Sequence, residues 1–283
     1  MAQSKPRAVI ALTRYAEPNA LVLETLESLA RLEGEGFTVH LADQRADPDL
    51  AQAVAALSTP RLPFLYDTIP AKSLSFARNH ALNVADADIV LFIDPDAIVE
   101  TDWALHLATA LERSPEAALV GGRIVPLWRS PPPVLARARF VRDVFSVLDL
   151  GPGLRPYHRV VGASFGVHKR RLGTEARFDE RLGRREGKLF SGEESELCAR
   201  ALAKGFEVLY EHAALAHHQI GAERARTAWI LQRFYYAGMG RVAQGGEPRP
   251  SQGPKGLEWL AVAAVLPAYG AGYIRGLLAR SRG

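Results

Sequence analysis

The sequence predicts an α/β protein with a doubly wound, mostly parallel central sheet, helices on both faces, and a helical C-terminal extension. Apolar runs and segments of helical periodicity alternate through residues 1–125, the pattern of a sheet built from strand and helix units. Ile89 to Ile93 is an unbroken apolar run, as expected of a strand covered on both faces of a parallel sheet. At 283 residues and 48% hydrophobic content, the chain can bury the core of one such domain and still carry an appendage.

Ala8 to Leu12 reads as the first buried strand, and Leu21 to Arg31 as a helix with Leu21, Leu26, Leu29 and Ala30 roughly on one side. Phe37 to Ala42 is a second strand, ending in Asp43. Neither leads into Gly-x-Gly-x-x-Gly or Gly-x-x-x-x-Gly-Lys-Ser/Thr, which speaks against a dinucleotide fingerprint or a P-loop. Leu50 to Leu57 is a short helix, Phe64 to Tyr66 a short strand, and Ser75 to Val84 a helix that brings Arg78 and Asn79 toward the central strand. Asp102 to Glu112 is the next helix, and Ala118 to Val125 a strand broken by Gly121-Gly122.

Pro131-Pro-Pro133 interrupts this rhythm. Residues 134–148 are basic and amphipathic, and read either as a surface helix packed on its own domain or as a contact for anionic lipid. Val160 to Val167 is a strand containing Gly162-Ala-Ser164-Phe-Gly166, a literal nucleophile-elbow pattern. That elbow requires a turn straight into a helix; a short basic stretch stopped by Gly173 follows instead, so a serine hydrolase is not expected. Arg177 to Lys188 is charged and reads as a mobile loop. Ser191-Gly-Glu-Glu194 opens a helix to Lys204, with Leu197, Cys198, Ala201 and Leu202 at core spacing, and Phe206 to Tyr210 is a last strand before His217-His218. Beyond residue 222 the pattern is helical, with a break at Gly238-Met-Gly240 and a linker from Gly245 to Pro254. Leu257 to Ile274 would span about 27 Å as a helix, slightly short of a bilayer core. Flanked by Arg275, Arg280 and Arg282, it reads as an interfacial or hairpin-like membrane contact, with packing on the domain as the alternative.

The chemistry concentrates at Asp94-Pro-Asp96, directly after the central strand. Side chains at i and i+2 of an extended segment point the same way, about 7 Å apart, so the two acids can share a cation or a cation and a ligand hydroxyl. In open α/β sheets ligands bind beyond the carboxyl ends of the strands. The competing reading is an Asx-type turn leaving a core strand.

The net charge of +4 is unevenly spread: residues 1–128 carry a net −7, 129–188 a net +8, and 189–283 a net +3. An acidic first half facing a basic middle suggests a cleft for both a metal and an anionic ligand. Few aromatics interleave the basic stretch, so no nucleic-acid partner is expected. The single cysteine, Cys198, forms no internal disulfide and fits a reducing compartment. Only five apolar residues run together within Met1 to Thr13, too few for a signal-peptide core, so the expected location is cytoplasmic, on the inner face of the cell membrane if the C-terminal stretch docks there.

Ser75-Phe-Ala-Arg-Asn79, then Asp88-Ile-Val-Leu-Phe-Ile-Asp-Pro-Asp96, then Gly162 to Leu172, Phe178-Asp-Glu-Arg-Leu182, Gly192-Glu-Glu-Ser-Glu-Leu-Cys198 and His217-His218 occur in that order. The ordered set resembles the family 2 glycosyltransferases of the GT-A fold, including their Ala-Arg-Asn helix and DXD segment, over roughly residues 7 to 220. The resemblance implies a GT-A domain over 1–222, its nucleotide-sugar half at about 1–125 and its acceptor half at about 126–222, with 223–283 as the helical extension. It implies a UDP-, GDP- or dTDP-sugar donor with Thr13 and Asp43 at the base and ribose, Arg78 near them, and Asp94 toward the ribose or a metal-bound water. It also implies Mn²⁺ or Mg²⁺ held by Asp96, with Asp94 and His217 completing the site; carboxylate and phosphate oxygens suit such ions, and an imidazole tilts the choice toward Mn²⁺.

Glu194 stands where the family's catalytic base is found, with Glu193 as the second candidate. Glutamate replaces the usual aspartate there, and Ser191-x-x-Glu194 is equally a helix capping box. Leu12 and Gln44-Arg-Ala46 also depart from the family pattern, so its nucleobase preference does not transfer. The expected function is a metal-dependent inverting transfer to a saccharide or lipid-linked acceptor, in cell-envelope or surface polysaccharide synthesis, with membrane-surface contacts through 134–148 and 257–280. The alternatives are a non-catalytic nucleotide-sugar-binding or membrane scaffold, or a sugar nucleotidyltransferase.

Overall fold

The computed structural model describes residues 5–184, 191–243 and 258–280. The first half alternates β1 (Ala8–Arg14), α1 (Asn19–Ala30), β2 (Phe37–Asp43), α2 (Pro48–Leu57), β3 (Phe64–Thr68), α3 (Leu74–Val84) and β4 (Ile89–Ile93). A short β5 (Ala97–Val99), α4 (Trp103–Arg113) and a long β6 (Ala117–Trp128) follow. The second half contains the one-turn helix α5 (Arg139–Arg142), β7 (Leu154–Pro156), β8 (Ser164–His168), the one-turn helix α6 (Lys169–Leu172), α7 (Glu193–Ala203) and β9 (Glu207–Ile220). Two long helices, α8 (Thr227–Ala243) and α9 (Glu258–Arg280), end the described chain.

The sheet runs β3-β2-β1-β4-β8-β6-β9-β5, with β7 paired to β9. β3, β2, β1 and β4 are parallel neighbours, and β6 with β9 is a second parallel pair; β8 lies antiparallel between the two groups. Alternate residues of β1 and β4 supply two cores. Ile10, Leu12, Leu91 and Ile93 face α1 and α4, meeting Leu26, Leu29, Trp103 and Leu107, while Val9, Ala11, Val90 and Phe92 face Leu82, Phe165, Phe178 and Leu197. A strand whose two faces are both covered has no solvent side to carry polar residues, hence the unbroken apolar run of β4.

Several expectations are corrected. β6 runs on through Gly121-Gly122, but its pairing with β9 shifts register between Gly122 and Arg123; a side chain at Gly122 would press within 2.6 Å of the Ala214 carbonyl and the Ser164 hydroxyl, so glycine permits the close approach of β9 and β8 there. β9 continues ten residues past Tyr210, so His217 and His218 lie inside the strand rather than after it. α8 passes through Gly238-Met-Gly240 unbroken. Gly238 and Gly272 let the backbones of α8 and α9 touch, since a Cβ at either would collide with a carbonyl of the facing helix, that of Tyr269 or of Tyr235. α9 is 23 residues long with Pro267 inside it, about 35 Å at the rise of an α-helix. Residues 134–148 fold as short turns, not one helix, and bury Phe140, Val141 and Phe145 against Ile220, Ile230 and Val265. The linker at 245–254, the end of the 177–188 loop (185–188) and Leu257 lie outside the described residues.

Candidate functional site

β4 ends at Ile93, and Asp94 is fixed at once by its backbone N–H donating to Ala163 O at 3.2 Å. The chain turns, with Ala97 N donating to Asp94 O at 3.1 Å, and re-emerges as β5 paired antiparallel with the end of β9. Ala97 lies opposite His218 and Ile98 opposite His217. The register sets Asp96, which is 3% exposed, beside the His218 side chain: Asp96 Oδ1 lies 3.3 Å from His218 Nε2. The Nδ1 of His218 hydrogen-bonds the Phe145 carbonyl at 2.7 Å; a carbonyl only accepts, so Nδ1 is the donor there and Nε2 is the nitrogen turned to Asp96. Arg224, just beyond β9, closes the group with Nη1 2.8 Å from Asp96 Oδ2 and 3.3 Å from His218 Nε2.

His217 is therefore not the imidazole of this group. Neighbouring strand residues point to opposite faces, and His217 Nε2 reaches Glu100 at 2.8 Å on the other side. Among the described residues, Asp94, Asp96 and His218 offer three ligand atoms within 4.8 Å of one another.

The second half of the site is organised by Arg78 on α3, whose helix starts at a Ser73 cap accepting from Phe76 N. Arg78 is 1% exposed and lies over the rings of Phe165 and Phe178, 5.3 and 5.6 Å from their centroids. Its Nη1 donates to Glu193 Oε1 at 3.1 Å and Glu194 Oε1 at 3.0 Å, and its Nη2 to Asp94 Oδ1 at 3.3 Å and Gly162 O at 3.1 Å. One buried cation thus ties the end of β4 to the start of α7. The expected capping box is not formed: the N-cap of α7 is Gly192, with φ 113° and no side-chain cap bond, and the Glu194 carboxylate is turned to Arg78 instead.

Burial raises the Asp94 carboxyl, with Arg78 opposing and the Asp96 charge reinforcing, to about 6. Burial alone would also raise Asp96, but His218 and Arg224 outweigh it and hold the group well below the carboxylate range. Burial and then the Glu194 charge push Glu193 up to about 7 against the pull of Arg78, and its Oε2 is buried without a hydrogen-bond partner.

One cleft of about 1260 Å³ is lined by Asp94, Asp96, Arg78, Glu193 and Glu194 together with Thr13, Gln44 and residues of α8 and α9, while His218 and Arg224 are not in its lining. Asp43 is absent from its lining. It is fully buried and saturated by Arg14 Nη1 at 3.0 Å, Tyr66 Oη at 2.7 Å and the N–H of Arg45 at 2.9 Å. Ser164 is buried and its hydroxyl accepts from Trp103 Nε1 at 2.8 Å, which removes it as a nucleophile. Cys198 is buried, its thiol pushed up to about 12 by burial, and packs in the core as expected. Arg224 and the cleft-lining Arg184 and Arg233 were not singled out in the sequence, and His218 was named only within the His217-His218 pair. The His217-His218 pair did mark the place, but alternation alone does not say which ring faces inward.

Residues 9–163 match the model of the family described as glycosyl transferase family 2. A glucosyl-dolichyl phosphate glucuronosyltransferase of Haloferax volcanii is 25% identical over 174 residues, covering 59% of this chain and 54% of that protein. A pre-mycofactocin glycosyltransferase of Mycobacterium tuberculosis is 30% identical over 173 residues, covering 59% of this chain and 34% of that protein. The chain thus spans about half or less of the length of these relatives. In structure, the mannosyltransferase PcManGT from Pyrobaculum calidifontis, in complex with GDP-Man and Mn²⁺, superposes with a TM-score of 0.61 at 16% identity, covering 99% of this chain and 76% of that one. At that identity the likeness establishes the fold, which is of the GT-A type. With its family model matched over more than half its length, the chain belongs to glycosyl transferase family 2.

Proposed function

We propose that the protein is a metal-dependent, inverting glycosyltransferase that moves a sugar from a nucleotide-sugar to an acceptor hydroxyl. The observation that carries this reading is that Asp94 and Asp96 line one cleft with Arg78, Glu193 and Glu194 and have the buried His218 within ligand distance of both. The donor set fits a divalent ion. A metal-binding imidazole is typically oriented by a hydrogen bond from its other nitrogen, and the Phe145 carbonyl provides that bond to His218. Two carboxylates and one imidazole suit Mn²⁺ or Mg²⁺, the imidazole favouring Mn²⁺. Bound there, the ion would neutralise charge building on the departing diphosphate.

The protein's own groups have the remaining tasks. Thr13, Gln44 and Asp94 line the donor end of the cleft. Asp43, buried as it is, holds the β2 end and the turn carrying Gln44 rather than touching the nucleotide. Glu194 lines the cleft and takes the proton from the attacking hydroxyl, while Arg78 fixes its carboxylate and Glu193 packs behind. A base across the cleft from the leaving group gives a single displacement, hence inversion. A nucleotide-sugar donor is supported by the GDP-Man bound to the mannosyltransferase of like fold.

The acceptor we assign to the lipid-linked class rather than to free saccharide. Trp259, Leu266 and Ile274 of α9 line the cleft yet remain 62%, 58% and 60% exposed, an apolar wall running from the reacting groups to the surface. α9 is, among the described residues, the one helix long and apolar enough to cross a membrane; we place it at the cytoplasmic membrane surface, where a lipid-anchored acceptor of cell-envelope synthesis would enter. The membrane contact assigned to 134–148 is dropped, because its aromatic residues are used in packing.

The test is a panel of UDP-, GDP- and dTDP-sugars with and without Mn²⁺, read first as thermal shift and then as donor hydrolysis and transfer. A donor that raises the melting point only with metal, and is turned over, is the expected result. Binding without any turnover would leave a scaffold, and pyrophosphate release from a nucleoside triphosphate would indicate a nucleotidyltransferase.

A further inference from the structure

A second group of convergent ligands stands on the far edge of the sheet, outside the cleft. His40 lies on β2, Asp67 on β3 and His80 on α3. Asp67 pairs in register with Ala42, so His40, two residues before Ala42, shares its face of the sheet, and α3 packs over that face. Both imidazoles meet one atom: His40 Nε2 and His80 Nε2 each lie 3.0 Å from Asp67 Oδ2. The three ligand atoms fall within 4.8 Å of one another.

We propose that His40, Asp67 and His80 form a second metal site, selective for Zn²⁺ and distinct from the site at the end of β4, that clamps α3 to the β2 and β3 edge. Zinc takes nitrogen at about 2.0–2.1 Å and carboxylate oxygen at about 2.0–2.2 Å, so each imidazole nitrogen, 3.0 Å from Asp67 Oδ2, need move by only a few tenths of an ångström relative to that oxygen to admit it. As drawn, the shared oxygen accepts from two N–H groups; a divalent ion replaces both protons and meets the same three atoms. Two imidazoles with a single carboxylate rank Zn²⁺ well above Mn²⁺ or Mg²⁺. The Asp67 side chain is 46% exposed and that of His80 26%, so an ion can enter from solvent and keep a water as its fourth ligand.

The clamp bears on the cleft through the elements it joins. His80 is one residue beyond Asn79 and two beyond Arg78 on α3, while Tyr66, the neighbour of Asp67, donates to Asp43 Oδ2 at 2.7 Å at the end of β2.

The test is titration of metal-stripped, full-length His218→Ala protein with ZnCl₂ alone, by calorimetry or indicator competition, the substitution weakening the other site. One equivalent should bind with a micromolar or lower dissociation constant and raise the melting temperature. Asp67→Asn and His80→Ala, each added to that background, should weaken binding on the order of 100-fold, and X-ray absorption of the zinc-loaded protein should report imidazole nitrogens. Both side chains reach solvent, and melting of the metal-free variants near that of the parent checks that they fold. No zinc bound in the His218→Ala protein, or binding indifferent to both substitutions, overturns the proposal. Neither result touches the transferase reading, which depends on Asp94, Asp96 and His218.

Discussion

Nε2 of His218 lies 3.3 Å from Oδ1 of Asp96, although 121 positions separate them in the sequence. The antiparallel register of β5 on β9 makes the pair, and the Phe145 carbonyl decides which nitrogen faces the carboxylate. Asp96→Asn and His218→Ala should each weaken Mn²⁺-dependent donor binding by about 10- to 100-fold or more. His217→Ala, on the other face, should leave it within about twofold, a contrast that calorimetry of the three variants would resolve.

Glu194 lines the cleft, held by Arg78 at 3.0 Å. Glu194→Gln should keep donor affinity and slow transfer by about 10² to 10⁴. Single-turnover kinetics checks this, and a variant with unchanged chemistry would move the base to Glu193.

Arg78 pairs with Asp94, Glu193 and Glu194 together. Arg78→Ala leaves three carboxylates crowded in a covered site and should cost about 3–5 kcal/mol, visible as a large fall in the denaturant midpoint. Arg78→Lys keeps the charge but not the fork that contacts four oxygens, and should recover only part of the loss.

Glu193 gives a pH signature. Its folded value of about 7 lies above the ordinary 4.5, so between those values the folded state binds the extra proton and stability falls as pH rises. Glu193→Gln should flatten that decline, so thermal melts at pH 5 and pH 8 should differ less in the variant than in the parent.

The apolar wall of α9 is tested without shortening the chain. Leu266→Asp with Ile274→Asp should abolish co-sedimentation with anionic vesicles while leaving metal-dependent nucleotide-sugar binding intact. Both side chains are largely exposed, so the core is not disturbed.

The sequence by itself determined what depends on neighbours along the chain. The run Ile89–Ile93 read as a strand covered on both sides, the spacing of Leu26 and Leu29 as a buried helix face, and Asp94-Pro-Asp96 as the segment leaving that strand. Tertiary structure decided what depends on pairing between distant segments. β8 enters the sheet antiparallel between two parallel groups, and β9 runs ten residues beyond its apolar start to set His218, not His217, against Asp96. Arg78 turns Glu194 away from its helix cap, and three strangers in sequence, His40, Asp67 and His80, meet over one oxygen. Periodicity records which face of an element is buried; it carries no information on which partner lies across from it, because register and packing are fixed by contacts between segments far apart in the chain.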